Sequence, residues 1–484
     1  MKKIVTRFAP SPTGFMHIGG VRTALFAYLW ARKNEGTFIL RIEDTDKSRE
    51  VAGSIGHIQE SLQWIGIDWD YGPDKENPFG SAIQSERLDT YRAAAQTLID
   101  AGFAYPDPYS AEELAAFRQK AQDEKRPFLF RDHRPAIFGV WDGTKPLRFK
   151  TPEIKRSVWN DAVRGELEAG PEMLDDFVLI KTDGYPTYNF AHIIDDMHMG
   201  VTHIMRADEF IASTPKFLSL YDALGIEYPV FVTLPPILRD DKTKKMGKRD
   251  GAKDILEYRA EGYLPEAMLN FLAFIGWNPG TEQELFTKKE LIHAFDIQQI
   301  QRHGGIVNDD KLDWYNRQYI AKLNDADFAA AVIPALETSV KGRGLSWAAD
   351  RATKLLPIIK ERISVWSDIL KIVEAGEFDF FFKDPEPTVS EIPGKGNTSE
   401  AAAAHLSRLH EMLESAAAET FDSPERLKDM VWDYATAEGR GAVLWPLRFS
   451  LSGLAKSPDP FVIAAVIGRD ATLRRITNAR TLLI

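Results

Sequence analysis

Apolar residues gather over Ile4–Ala9 and stop at Pro10, Pro12 and Gly14, after which Val21, Leu25, Tyr28 and Leu29 recur at helical spacing as far as Gly36. This pattern predicts a strand, a loop and a helix. A second apolar run, Phe38–Ile42, predicts a strand that closes into the acidic knot Glu43, Asp44 and Asp46, and a helix is predicted from about Val51 to Ile65. Strand, helix, strand, helix at this spacing argues for a doubly wound parallel sheet that binds ligands at the carboxyl ends of its strands. The acidic knot stands where such a ligand sits.

Residues 70–80 are dense in Gly, Pro, Asp and Asn and predict a loop, and residues 101–171 lose the alternation of strand and helix, mixing short signals of both. That stretch is expected to be an α+β insertion. The alternation returns with predicted strands over Phe177–Lys181, His203–Met205 and Val230–Leu234 and a predicted helix over Thr214–Leu224. Beyond about residue 320 the strand signals end. Leu355, Ile358, Ile359, Trp366, Ile369 and Val373, then Leu406, Leu409 and Leu413, fall at helical spacing and predict an all-helical region. Ser423, Pro424 and Glu425 supply an N-cap, a first-turn proline and an acid for one of its helices. The proline-rich, charged stretch 384–397 reads as a linker inside this region.

At 484 residues the chain is too long for one small module, and 44% hydrophobic with 27% charged residues excludes wholesale disorder. The net charge of −11 argues against indiscriminate coating of nucleic acid, so a polyanionic partner must meet local basic patches. Absence of cysteine removes disulfides, thiolate nucleophiles and Cys-ligated zinc. Thr6, Arg7 and Pro10 break the opening segment where a signal peptide needs an unbroken apolar stretch, and no apolar run approaches the ~18 residues of a membrane helix. A cytoplasmic protein without a membrane partner is expected.

Neither G-x-x-x-x-G-K-[ST] nor G-x-G-x-x-G after a strand occurs, so Walker and dinucleotide readings lose weight. His410-Glu411 is followed by Glu414 where the H-E-x-x-H zinc motif needs His, and reads as a solvated helix face. The segment Pro10 to Gly20 lies between the first strand and helix. Two glycines after His17 allow a phosphate close to the backbone, and the helix start offers unpaired N–H groups and the positive dipole end. The alternative is a glycine-rich turn with His17 as a helix cap. Residues 239–253 hold seven basic and three acidic side chains, a local charge of +4. Lysines there either stabilise a departing pyrophosphate or belong to a solvated loop.

The two segments together carry a resemblance. His17-Ile18-Gly19-Gly20 resembles the HIGH signature, and Lys245-Met246-Gly247-Lys248-Arg249 the KMSKS signature, of class I aminoacyl-tRNA synthetases. Arg7 to Gly14, Leu40 to Asp46, Gln84 to Arg87, Pro186 to Ala191, Asp195-Asp196, Arg206 to Glu209 and Leu444 to Arg448 look like the bacterial glutamyl-tRNA synthetases, so the resemblance spans essentially the whole chain. It implies activation of L-glutamate by ATP with Mg2+ to glutamyl-adenylate, then transfer to tRNA(Glu).

By the family's motif positions, His17, Lys245 and Lys248 are the expected catalytic residues, and Pro10, Thr13, Gly19, Gly20, Met246 and Arg249 complete the expected ATP contacts. Arg7 and Arg206 are expected to grip the carboxylates of glutamate and Glu43 its ammonium, with Ala9, Ser11, Tyr188 and His192 as further contacts. Guanidinium forks suit carboxylates and an acid suits an ammonium. On the residues alone, Arg7 as a strand-edge charge and Glu43 as a structural ion-pair member stand as alternatives.

Gly247 replaces the usual Ser of the lysine signature, Asp250 stands where His is more common, and His192 occupies a position that is often Asn. No metal ligand and no structural zinc are expected. The helical end and the Ala9-Pro10-Ser11 sequence argue against the glutaminyl relatives. The resemblance implies a Rossmann-type catalytic domain over 1–100 and 172–238, an acceptor-end insertion over 101–171, a lysine-loop and stem-contact segment over 239–320, and a helical anticodon-binding region over 321–484. It also implies a monomer, and activation that requires bound tRNA. Arg302, Lys311, Arg317, Arg448, Arg474 and Arg475 are candidate tRNA contacts. Charging of tRNA(Gln) as well, a catalytically silent tRNA binder motivated by Gly247, and a nucleotidyltransferase that does not use tRNA remain as other readings.

Overall fold

The computed structural model describes residues 3–238 and 253–484, and the chain divides into two compact units, Met1–Asn316 and Arg317–Ile484. In chain order the first unit contains β1 (Val5–Phe8), α1 (Ile18–Lys33), β2 (Thr37–Leu40), α2 (Ser54–Trp64), α3 (Leu88–Asp100), β3 (Ala104–Pro106), α4 (Ala111–Asp123), β4 (Leu147–Phe149), β5 (Ser157–Asp161), β6 (Gly165–Ala169), β7 (Val178–Ile180), α5 (Tyr188–His198), β8 (His203–Ala207), α6 (Thr214–Leu224), β9 (Val230–Leu234) and α7 (Ile255–Glu261).

Its main sheet has the order β2-β1-β8-β9-β5-β6. β1 is parallel to both β2 and β8, β8 to β9, and β9 to β5, while β6 closes the edge as an antiparallel hairpin with β5. The order reverses at β1, so the carboxyl ends of β1 and β8 form the switch point where a doubly wound sheet takes its ligand. Helix α1 packs on β1 and is covered elsewhere by the helices Pro265–Ala273 and Lys288–Ala294. Two-sided cover explains why its apolar residues do not form one stripe. Phe26 is fully buried there, and Phe26→Ala is expected to cost about 3–5 kcal/mol. The helix ends before Gly36, whose position admits no Cβ because one would collide with the Ile4 carbonyl oxygen.

The predicted strand over Phe177–Lys181 does exist, as β7, but it lies outside the parallel sheet. It joins β3 and β4 in a separate three-stranded antiparallel sheet. A three-residue apolar strand carries no periodicity that names its partner. The place expected for it beside the parallel strands is taken by β5, from within the stretch predicted as an insertion. Buried Asp161 fixes this exchange: its carboxylate accepts from the Thr233 N–H at 3.0 Å and the Thr233 hydroxyl at 2.6 Å, sewing the hairpin to β9.

The second unit is helical throughout its described elements, as its sequence predicts. Ser423 caps the helix Pro424–Glu438 by accepting from the Arg426 N–H. The stretch 384–397 is held at its start, where Asp384 meets Arg474 at 2.8 Å and Arg475 at 3.0 Å. Arg475 is buried and also donates to the carbonyls of Leu451 and Lys383. It is therefore a structural tie of the final helix and not the tRNA contact expected from its charge. Among the described residues no helix is long and apolar enough to cross a membrane.

Candidate active site

β1 ends in Arg7 and Phe8 and runs on into Ala9, β8 ends in Arg206 and Ala207, α5 begins at Tyr188, and the turn after β2 carries Glu43. These chain ends converge on a cavity of about 260 Å³ at the switch point of the sheet. Arg7, Ala9, Ser11, Glu43, Tyr188 and Arg206 line it, with Thr23, Met205 and Phe210 among the remaining wall residues. Six of the seven residues expected to hold glutamate are thus brought together.

The seventh, His192, is not in the lining. It lies one turn along α5, fully buried, with its ring stacked on Tyr188 at 4.7 Å and edge-on to Phe217 at 4.6 Å. Its Nδ1 is 2.7 Å from the Tyr188 carbonyl oxygen. Burial pushes the imidazole down to about 3, so it is neutral at physiological pH. The ring supports Tyr188 from behind because the helical spacing of four residues places it there.

Arg206 defines the chemistry of the cavity. Its guanidinium is enclosed by the rings of Phe210, Phe217 and Phe231 at 5.6, 4.9 and 5.3 Å. Nη2 donates to the Thr214 hydroxyl at 3.1 Å, whereas Nη1 is buried without a hydrogen-bond partner among the described residues. Desolvation by burial lowers its pKa. A buried guanidinium with one Nη unpaired and, among the described residues, no carboxylate in hydrogen-bond contact with it is a strong demand for an anion.

Arg7 and Glu43 are set by a buried ionic network: Glu43 lines the cavity and is a structural ion-pair member at once, while Arg7 is buried on β1 between β2 and β8 and is not a strand-edge charge. Arg7 Nε lies 3.2 Å from Asp196 Oδ1. The fully buried Arg41 gives Nη1 to Asp196 at 2.6 Å and Nη2 to Glu43 at 2.9 Å. Burial opposes its charge, but Asp196, Glu43 and Asp195 together hold the Arg41 pKa well above its ordinary value. Burial raises the Glu43 carboxyl, against the pull of Arg41 and Arg7. Asp195, beside Asp196 on α5, accepts from Gln84, Arg87 and Tyr91, each at 2.8 Å. The acidic knot therefore splits by function: Glu43 lines the cavity, while Asp44 pins the turn at Ser85, accepting from its N–H at 2.8 Å and its hydroxyl at 2.6 Å.

The roles of Arg41, Asp195 and Asp196 were missed by residue-level reasoning. The available signal was the pair of acids directly after the apolar Ile193 and Ile194, a place where buried carboxylates survive only if paired.

The turn from Pro10 to Gly20 borders the same cavity. The Pro10 carbonyl accepts from the Glu43 N–H at 3.0 Å, and the Thr13 N–H donates to the Ser11 carbonyl at 2.8 Å. His17 is the N-cap of α1, its Nδ1 accepting from the Gly19 N–H at 3.1 Å. A Cβ on Gly19 would sit 2.9 Å from the His17 ring, so glycine is what lets the imidazole fold back over the helix start. The cap alternative is thus realised, and it places the imidazole beside a helix N-terminus suited to an anion. Lys245, Met246, Lys248 and Arg249, together with Gly247, lie outside the described residues.

Comparison with known proteins gives the family of the chain. Residues 3–314 match a family described as tRNA synthetases class I (E and Q), catalytic domain, and residues 327–480 match an anticodon binding domain. The chain is 38% identical over 482 residues to a glutamate–tRNA ligase of Dehalococcoides mccartyi, covering 99% of this chain and 98% of that protein. It is 37% identical over 509 residues to one of Flavobacterium johnsoniae, covering 99% of each. Its structure is similar to the crystal structure of a glutamate tRNA ligase from Elizabethkingia meningosepticum in complex with its amino acid, with a TM-score of 0.85, 34% identity and full coverage of both chains.

Proposed function

This chain belongs to the class I glutamyl-tRNA synthetases, and from that membership we infer that it joins L-glutamate to tRNA(Glu), using ATP and releasing AMP and diphosphate. The observation that carries the reading is the buried, unpaired Nη1 of Arg206 in a cavity that also presents Arg7 and Glu43. Two guanidinium groups and one carboxylate are the complement of two carboxylates and one ammonium.

The α-carboxylate oxygen of glutamate attacks the α-phosphorus of ATP, the bond to the bridging oxygen breaks, and diphosphate leaves with the electron pair. A hydroxyl of the terminal adenosine of tRNA then attacks the acyl carbon and displaces AMP. The protein supplies position and charge. Arg7 and Arg206 orient the two carboxylates, Glu43 takes the ammonium, and Tyr188 and Ser11 add hydrogen bonds. The Tyr188 hydroxyl is a hydrogen-bond donor at neutral pH, and burial raises its pKa further above the ordinary value. His17 is assigned to the α-phosphate and Lys245 and Lys248 to the departing diphosphate, with Pro10, Thr13, Gly19, Gly20, Met246 and Arg249 as further ATP contacts. ATP arrives as its magnesium complex, the metal held by the phosphates, and no residue of this chain is assigned to it. The domain partition follows the resemblance except around the insertion, where the hairpin of β5 and β6 belongs to the main sheet and β7 to the three-stranded sheet, and the helical region reads the anticodon. The reading includes a monomeric, cytoplasmic enzyme.

Transfer of labelled glutamate, with ATP and Mg2+, onto purified tRNA(Glu) and tRNA(Gln) in parallel tests it. Charging of tRNA(Glu) alone marks a discriminating enzyme, and charging of both a form that also serves tRNA(Gln). Binding of tRNA without charging of either would leave the silent binder.

A further inference from the structure

We propose that His57 and Asp254 are positioning residues that fasten the chain just downstream of the lysine signature to the turn carrying His17, and so set the fit of ATP between them. The proposal rests on the ligase reading above.

His57 lies on α2 with Nε2 2.8 Å from Asp254 Oδ2, and its Nδ1 faces the Met16 N–H at 3.4 Å and the Ser61 hydroxyl at 3.3 Å. A neutral imidazole protonated on Nε2 donates to the carboxylate and accepts from the backbone at once, which assigns the tautomer. The exposed ring of Phe15 covers His57 at 4.6 Å. Asp254 uses its other oxygen to cap α7, accepting from the Leu256 N–H at 2.9 Å. Its backbone forms a bridge with His17, and the Ile255 N–H donates to the Met16 carbonyl at 2.9 Å. Met16–His17 and Asp254–Ile255 are thus joined through both main chain and side chain. His57 is the one side chain that touches both stretches in these contacts.

The chemistry of Asp254 is specific. Its two oxygens accept two different N–H groups, from Leu256 and from His57. Asparagine is an equally good helix cap, but it has one acceptor oxygen and one donor nitrogen. Asp254→Asn therefore keeps the cap and sets donor against donor at His57. If the imidazole moves its proton to Nδ1 in response, the Met16 N–H loses its acceptor. One link is lost either way.

Groups on the His17 turn and on the lysine signature act on the same nucleotide, so an error in their spacing is felt in ATP binding before glutamate binding. Wild type, Asp254→Asn, His57→Ala and the double variant are compared in glutamate-dependent ATP–pyrophosphate exchange with tRNA present, and Met16 amide exchange is followed in the same proteins. The expected KM for ATP rises about tenfold in Asp254→Asn, the equivalent of one hydrogen bond to a charged group, with KM for glutamate unchanged. The double variant is expected to be no worse than His57→Ala, because both changes break one contact. Faster Met16 amide exchange in His57→Ala, which removes the acceptor, is expected as well.

An unchanged KM for ATP, equal rises for ATP and glutamate, or additive losses in the double variant would overturn the proposal. Wild-type protein without glutamate-dependent exchange would refute the ligase reading separately. The tether itself is then decided by Met16, whose unchanged amide exchange in His57→Ala would refute it.

Discussion

Arg7 and Asp196, 189 positions apart in the sequence, meet in the interior with Nε 3.2 Å from Oδ1. Arg7 comes from the end of β1 and Asp196 from α5, so the contact locks the wall of the cavity to the helix that also carries Tyr188. Asp196 is buried, and although burial favours its neutral form, Arg41 and Arg7 keep its carboxyl below the ordinary range. Asp196→Asn leaves two buried guanidinium groups short of a counter-charge, and the expected loss of stability is about 3 kcal/mol. Urea unfolding measures it, and KM for glutamate is expected to rise in the same variant because Arg7 is no longer held.

Arg206→Lys keeps the charge but loses the planar fork inside its cage of three aromatic rings. KM for glutamate is expected to rise about 100-fold, on the scale of one bidentate carboxylate contact. Tyr188→Phe, which removes one hydroxyl, is expected to cost about tenfold or less. Steady-state aminoacylation with varied glutamate distinguishes the two.

His192 gives a pH signature. Its pKa is lowered by burial to about 3 in the folded protein, against about 6.5 unfolded. Below the unfolded value the unfolded chain binds a proton that the folded one refuses, so stability falls as pH drops from 6.5 towards 3. Between pH 7 and pH 5 the wild type is expected to lose about 2 kcal/mol more than His192→Asn. Paired denaturant titrations at the two pH values check this.

Asp384 behaves in the opposite sense. Hydrogen bonding to Arg474 in the first place, and to Arg475, holds its carboxyl down to about 2. A depressed carboxylate stabilises the fold above its unfolded pKa, and this is lost as pH falls through the folded value. The pair is partly exposed, so Asp384→Asn is expected to cost about 1 kcal/mol at neutral pH, with the difference vanishing between about pH 4 and pH 2. Thermal melts across that window measure it.

Much of the site was legible in the sequence, because motif residues sit at strand ends where the chain has few choices. Arg7, Ser11, Glu43, Tyr188 and Arg206 were each expected at the amino-acid site, and each lines the same cavity. What escaped was whatever depends on long-range pairing. Arg41 reads as a strand residue until Asp195 and Asp196 arrive from α5. Arg475 reads as a surface cation until Asp384 and two carbonyls surround it. The place of β5 beside β9 is fixed by Asp161 and Thr233, which are 72 positions apart in the sequence. His192 was expected as a further contact at the amino-acid site, and it lies behind Tyr188, outside the cavity lining.

The most direct test is ATP–pyrophosphate exchange with tRNA(Glu) present, offering glutamate, glutamine and aspartate in turn to the wild type and to Arg206→Ala. Exchange driven by glutamate alone in the wild type, and abolished at the same glutamate concentration in Arg206→Ala, is the predicted result. Exchange that ignores the amino acid supplied, or that survives unaltered in Arg206→Ala, would contradict the assignment of this cavity to glutamate.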